Sequence, residues 1–377
     1  MAVLGQRTTL NINQDSRKID MVERIKLLQG DPAPLTVLTG ELPNAPAINP
    51  KFQWQEDDLK VRYDAINNGA GYTSSATALI VDNGSYHTPN ETFLVSRTGE
   101  QLRVQEVNGN TLTVVRGSNA AALLDDDEII VIGTAFAEGT LSPDAVTSNQ
   151  TTLYNYTGIL KTAIEITDTQ ANSGSENSPK DWDHQSNKAG LEHRRDLEYN
   201  YWHGVRSEST VNGKPLRTSG GVFQYATENV SSALGTLTEA EFWNALVDVF
   251  RHGSDVKFGF ASPFVINILN GFARSNIQVV QNDVVSKYGV KIFEYITPFG
   301  TLRLVQNKNF EGTVFKGYLT VLDLKAIRKR HMANRDTSIE TNIQENDRDG
   351  RKDQWKSEVG LEFGEAKKHG HLTGITG

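Results

Sequence analysis

Apolar positions recur along this chain with different periods, and the changes of period divide it into segments. Residues 1–50 carry no sustained helix or strand pattern. They hold Pro32, Pro34, Pro43, Pro46 and Pro50, nearly half of the 11 prolines present. Residues with a fixed φ and no amide donor make poor helix and sheet, so 1–50 is expected to be an extended arm. Val22, Ile25, Leu27 and Leu28 predict one short helical turn within it. The competing reading is a disordered tail.

From Lys51 to Tyr63, aromatic and β-branched residues mixed with charge predict one strand of a hairpin. Residues 70–139 then alternate apolar and polar positions in TALIVDNGSY, TFLVSRTGEQLRVQEVNGNTLTVVRG and DEIIVIG. Asp82-Asn83-Gly84, Thr98-Gly99 and Asn108-Gly109-Asn110 punctuate these runs. Asn-Gly supplies the positive φ that a tight hairpin needs. The expected product is a small β-barrel or sandwich, inserted where the chain leaves near Asn68 and returns near Gly139. Strand character resumes over 150–168.

The clearest helix follows a polar loop. Ser178 is a good N-cap, Pro179 suits the first helical position, and Asp181 suits the positive end of the dipole. It is expected to run to Arg206, about 28 residues or about 42 Å. Trp182, Ala189, Leu197 and Tyr201 give a thin apolar stripe, and Arg194 and Glu198 stand at i,i+4 as a surface pair. Gly190 should weaken it by about 1 kcal/mol relative to Ala. A long helix with so narrow a stripe is a spine laid along a sheet.

Residues 212–330 predict an α/β lobe. Thr238 and Glu241 form a capping box before a helix whose Phe242, Ala245, Leu246 and Val249 share one face, and Gly253 closes it. KFGFAS is a strand, Ser262-Pro263 opens a second helix, and KYGVKIFEYIT with GTLRLVQN forms a hairpin. Residues 331–377 alternate again from Asp353 to Phe363, returning to the earlier sheet, and end in a glycine-rich tail.

Composition narrows the function. The 377 residues include 32 glycines, and the chain carries a formal net charge of −8. That balance argues against a broad basic face that grips nucleic acid. With no cysteine, disulfides, thiolate metal sites and cysteine nucleophiles are excluded. The N-terminus lacks a signal-peptide core, and no apolar run reaches the roughly 18 residues of a membrane span.

A search for chemistry returns little. Gly-Ser-Asn at 117–119 and Gly-Ser-Asp at 253–255 lack the nucleophile-elbow pattern, and there is no phosphate-binding loop or dinucleotide fingerprint. His369 and His371 could ligate a metal, but paired histidines on a Gly-rich tail are more often incidental. Asp125, Asp126, Asp127 and Glu128 read as a solvated hairpin end more readily than a cation site. Asp347, Asp349 and Asp353 lack the core pattern of a calcium loop. The basic clusters Arg194-Arg195 and Arg328-Lys329-Arg330-His331 suit contact with acidic residues of another subunit or with phosphate if the chain assembles around nucleic acid, and a solvated helix end explains them nearly as well. Trp54, Trp182, Trp202, Trp243 and Trp355 suit core or interface anchors. No catalytic, cofactor-binding or metal residue is assigned, and no cofactor is expected.

The order of segments carries a resemblance. TALIVDNGSYHTPNETFLVSRTGEQLRVQEVNGNTLTVVRG, EHRRDLEYNYWHG, RTSGGVF, NKNFEGTVFKGYLTVLDL and HGHLTGI resemble the major capsid proteins of tailed bacteriophages, in the branch with a small β insertion near the E-loop. The resemblance covers essentially the whole chain. It implies an α+β capsid-shell fold: N-terminal arm 1–50, E-loop and peripheral strands 51–69 and 140–168, inserted β domain 70–139, and peripheral domain with spine helix 169–211. The axial domain is then 212–330, with 331–377 returning to the peripheral domain. It also implies a structural protein, not an enzyme, assembling with itself into hexamers and pentamers of an icosahedral head in the host cytoplasm. Portal, cement and scaffold proteins are the implied partners, with packaged DNA touched only weakly and no membrane. Relatives with a cleaved scaffolding segment before the arm make a separate scaffold the expectation here. Other virion components, such as tail or head-completion proteins, are the runner-up, with an encapsulin-like compartment shell beside them. A glycan hydrolase using Asp57 with Asp58, or Asp126 with Glu128, is the third class. Neighbouring strand positions point to opposite faces, which suits Asp57 and Asp58 poorly for joint acid–base work.

Overall fold

The structure is a computed structural model describing residues 33–42, 44–143, 149–173, 181–276 and 292–377. The spine helix's expected cap, Ser178 and Pro179, and the expected turn at Val22–Leu28 lie outside them. The chain divides into two compact units, residues 57–151 and the remainder.

The chain enters the larger unit not as an extended arm but as helix α1 (Pro34–Gly40) and strand β1 (Ala45–Ala47). Pro34 starts the helix, where its missing N–H costs nothing. Leu35 and Ala33 are buried. The arm reading of 33–47 is therefore corrected: proline here opens a helix rather than preventing one. Strand β2 (Lys51–Glu56) follows. The single strand expected over 51–63 ends there.

The smaller unit contains β3 (Tyr63–Ala65), β4 (Ala78–Ile80), β5 (Glu91–Val95), β6 (Gln101–Asn108), β7 (Thr111–Val115) and β8 (Glu128–Thr134). They hydrogen-bond in the order β3-β8-β5-β6-β7-β4. An antiparallel bridge from Ile66 to Val81, with Asn67 N–H on the Ile80 carbonyl at 2.9 Å and Asp82 N–H on the Ala65 carbonyl at 3.0 Å, joins the two ends. The sheet thus closes into a small barrel with no open edge there. Alternate residues point inward, and Phe93, Val95, Leu102, Val104, Leu112, Val114 and Ile129 fill it. Gly99 (φ 69°) and Gly109 (φ 59°) make the expected left-handed turns. Gly84 does not: it opens a 3₁₀ turn, and a Cβ there would sit 2.0 Å from the Gly109 carbonyl oxygen. Its role is close backbone approach.

Returning to the larger unit, β9 (Thr151–Tyr156) pairs with β2, and β10 (Gly158–Ile166) precedes the short helix α2 (Asp168–Asn172). The spine helix α3 is described over Asp181–His203. Ala189, Leu197, Tyr201 and also Trp202 are buried, whereas Trp182 is half-buried beneath Arg351. Beyond it come hairpin β11 (Ser207–Val211) with β12 (Lys214–Thr218), helix α4 (Val222–Tyr225), β13 (Val230–Gly235), and α5 (Glu239–Phe250) with its capping box formed. Strand β14 (Val256–Ala261), helix α6 (Pro263–Asn276), β15 (Ile292–Thr297), β16 (Gly300–Gln306), α7 (Gly312–Phe315) and β17 (Leu319–Leu322) complete the lobe. The chain ends with β18 (Ile327–Met332), β19 (Ser338–Glu340), β20 (Arg351–Phe363) and β21 (Gly370–Ile375).

One sheet runs β1-β18-β20-β10, with β19 beside β20; the other runs β13-β21-β17-β14-β16-β15. The last strand is therefore not a tail. It lies inside the lobe's sheet, parallel to β13 and antiparallel to β17. Leu197, Tyr201 and Trp202 pack with Leu35, Phe260, Phe310, Val359 and Leu361 in one core, while Phe242, Leu246, Val249, Val265, Leu302 and Leu372 build the second.

Candidate assembly surfaces

The polar residues that stitch the larger unit join segments far apart in sequence. Glu198, expected on the surface beside Arg194, is buried. Its carboxylate accepts from Leu35 N at 3.1 Å, Thr36 N at 2.7 Å, Thr36 Oγ1 at 2.8 Å and Trp202 Nε1 at 2.8 Å. It therefore caps α1 from the spine helix, placing negative charge where the free amides of a helix start lie. Burial pushes its carboxyl up, against these four hydrogen bonds. His193 links Thr162 Oγ1 at 2.9 Å to Ser357 Oγ at 2.7 Å, fixing the same helix to β10 and β20. Gly190 has a purpose as well: a Cβ there would meet the Trp355 ring at 3.1 Å, so glycine lets the indole lie against the helix.

His369 and His371 are buried in the lobe. Asp323 N donates to His369 Nδ1 at 3.1 Å, leaving Nε2 to donate to the Gly364 carbonyl at 3.1 Å. Burial pulls His369 down to about 3 and His371 to about 4. Both rings are thus neutral packing groups, one resting on Phe363 at 4.2 Å. Lys257 is fully buried beside them and donates to the His252 carbonyl at 2.7 Å and the Lys368 carbonyl at 2.6 Å. Burial lowers its ammonium to about 8, with Asp323 opposing. Closed in by backbone, it is no reachable nucleophile.

The other charged clusters are also used within the chain. Arg328–His331 lies on strand β18 rather than a helix end, and Lys329 pairs with Asp336, Arg330 with Glu362. In the barrel, Asp127 of the acidic run is buried, bonded by Arg97 Nε at 2.6 Å and by Leu124 N at 2.7 Å. Glu128 accepts from Ser96 Oγ at 3.0 Å and Asp125 from Asn68 N at 2.7 Å. Asp353 is buried and accepts from Asn342 N at 2.8 Å. His87 lies between Asp64 at 3.2 Å and Glu91 at 3.5 Å, one carboxylate on each ring nitrogen, so the three do not converge on a point. Among the described residues no three His, Asp or Glu side chains could hold a metal ion, and no helix is long and apolar enough to cross a membrane.

Among the described residues, apolar side chains also remain exposed. On the barrel, Val61, Tyr63 and Ile132 are exposed on β3 and β8 and the approach to them. On the lobe, Val247, Ile296 and Phe299 are exposed, and Phe299 lies edge-on to Trp243 at 5.9 Å. Hairpin β11–β12 is exposed throughout, except for half-buried Arg217. Its turn, Asn212 (φ 51°) and Gly213 (φ 72°), is a two-residue turn of the I′ kind. That Asn-Gly is the sequence signal for this hairpin.

Comparison with known proteins identifies the family. The SU10 major capsid protein family model matches residues 3–376. The major capsid protein of Pseudomonas phage PaMx41 is 27% identical over 282 residues, covering 71% of this chain and 68% of that protein. Among solved structures, similarity is found to a chain in the capsid of Cyanophage P-SCSP1u, 10% identical over 66% of this chain and 81% of that one, TM-score 0.42. A chain of the holo-SrpI encapsulin complex from Synechococcus elongatus is 11% identical over 61% and 77%, TM-score 0.43. These structural likenesses are partial, and it is the match along nearly the whole sequence that decides: the chain belongs to the SU10 major capsid protein family, the shell-forming proteins of phage heads.

Proposed function

We propose that this chain acts as a building block alone, without catalysis, closing a phage head from hexamers and pentamers of itself. The observation that supports this is where its polar chemistry goes. Glu198, His193, His369, Lys257 and Asp127 are buried and bonded within the chain, while the exposed hairpin and barrel wall carry apolar residues. A protein built to associate needs that distribution: its charges spent on its own fold, its contacts spread over several modest surfaces.

In this reading α3 and the β1-β18-β20-β10 sheet form the peripheral domain. The six-stranded sheet with α5 and α6 forms the axial domain, to which β21 also contributes. The barrel is the inserted domain, and β2 with β9 lies at the base of the E-loop. Assembly takes place in the host cytoplasm, with a portal completing the shell. Packaged DNA meets the wall weakly, as the internal pairing of Lys329 and Arg330 favours. Sedimentation velocity of the purified chain tests this. Capsomer- or shell-sized species are expected, and a chain that stays monomeric at every concentration contradicts it.

A further inference from the structure

We infer that the barrel is the DNA-avoiding unit of the shell, turned to the outside of the particle, an inference that rests on the shell-building reading above. Residues 57–151 contain 13 Asp and Glu against five Lys and Arg, a formal charge of −8. The whole chain has 46 against 38, also −8, so the larger unit holds 33 of each sign and is neutral. Roughly a quarter of the residues thus carries all of the net charge.

Inside the barrel most of the cations are already engaged. Lys60 pairs with buried Glu91, Arg97 with buried Asp127 at 2.6 Å, and Arg116 with buried Glu100 at 2.7 Å. Only Arg62 and Arg103 are left to set against the exposed carboxylates of Asp82, Glu106, Asp125, Asp126, Glu128 and Glu138. The acid is also placed. The register opposes Tyr63 to Ile130 and Ala65 to Glu128, so the turn Asp125–Glu128 lies at the end of β3 and β8 remote from where the chain enters at Asp57 and leaves toward Thr151. Asn68 N donates to Asp125 and Asn67 Nδ2 to Asp82, each at 2.7 Å, which brings Asp82 to the same end.

DNA carries about one negative charge per 1.7 Å of its axis. Like charges repel over about 10 Å in 0.1 M salt. A unit of this charge pressed against packaged DNA would raise the free energy of filling with every copy, whereas the neutral unit neither grips nor repels phosphate. In water outside, the same carboxylates are solvated and hold particles apart from one another.

The absence of cysteine makes the test clean. Ser118→Cys sets a single thiol on an exposed loop of the barrel. A maleimide carried on a polyethylene glycol too large to enter a closed shell should label nearly every copy in intact particles. Thiols that react only after the particles are opened overturn the inference and leave the shell reading standing. No particles from the unsubstituted chain overturns both. In parallel, Asp125→Asn with Glu128→Gln removes two of the barrel's eight net charges while keeping a carbonyl oxygen for Asn68 N and Ser96 Oγ. Intact particles of that variant should migrate more slowly toward the anode on a native agarose gel, because mobility reads the charge of the outer surface. Mobility equal to that of the parent also overturns the inference.

Discussion

The barrel and the larger unit are held together in different ways. In the barrel, β5 to β6 and β6 to β7 are joined by short glycine turns, and every strand pairing falls within residues 63–134. In the larger unit, β1 pairs with β18, β10 with β20, and β13 with β21, so each sheet exists only when distant segments meet. Its joints are buried polar residues, each of which costs free energy unless every partner is in place. The barrel should therefore survive changes that dismantle its host.

The largest effect is expected from removing residues 370–377. This takes out a strand flanked on both sides, β13 and β17, and should abolish cooperative folding of the larger unit. Residues 57–151 expressed alone should still give a cooperative thermal transition by circular dichroism. Loss of structure in that fragment would show that its core depends on the rest. Next is Glu198→Ala, which strands the donors of Leu35, Thr36 and Trp202. A loss of about 3 kcal/mol or more is expected. All five tryptophans, at 54, 182, 202, 243 and 355, lie outside residues 57–151, so indole fluorescence in denaturant reads this unit by itself.

Acid should separate the two units by a smaller margin. Histidines held at about 3 and about 4 when folded titrate near 6.5 when unfolded. The unfolded state thus binds more protons between those values. Their contribution is complete above pH 6.5 and is lost as pH falls toward 4, on the order of a few kcal/mol. In the barrel, burial opposes ionisation of Glu91, yet His87, Lys60 and Thr88 hold it at about 2. Its contribution is intact above about pH 4.5 and is lost only as pH falls toward 2. Tryptophan fluorescence should therefore report melting of the larger unit at pH 5 in milder denaturant than at pH 7, with the circular-dichroism melt of the isolated barrel unchanged over that interval. Equal sensitivity of both units would remove the distinction. The smallest effect is Gly190→Ala: about 1 kcal/mol gained in helix propensity is offset by displacing the Trp355 ring, for a net change within about 1 kcal/mol by urea melt.

The same contrast explains what could be read in advance. Alternation with Gly99 and Gly109 made the barrel legible, since its information is local. The capping box at Thr238 and Glu241 was legible for the same reason. Glu198 was misplaced because a carboxylate at i,i+4 from Arg194 looks like a surface pair; nothing near it in sequence reveals Leu35 and Thr36 lying 163 and 162 residues away. HGHLTGI looked like a tail because Gly370 and Gly374 suggest looseness, yet Cβ atoms there would strike Val249 and Ser232. The assembly role was legible through the order of segments, whereas the pairing of β11 with β12 is marked in sequence only by Asn212-Gly213.

Electron microscopy of particles recovered after expressing the full chain tests the central claim most directly. Closed shells built from this one chain are the predicted result. Open-ended tubes or tail-like rings, or free monomers alone, would contradict it.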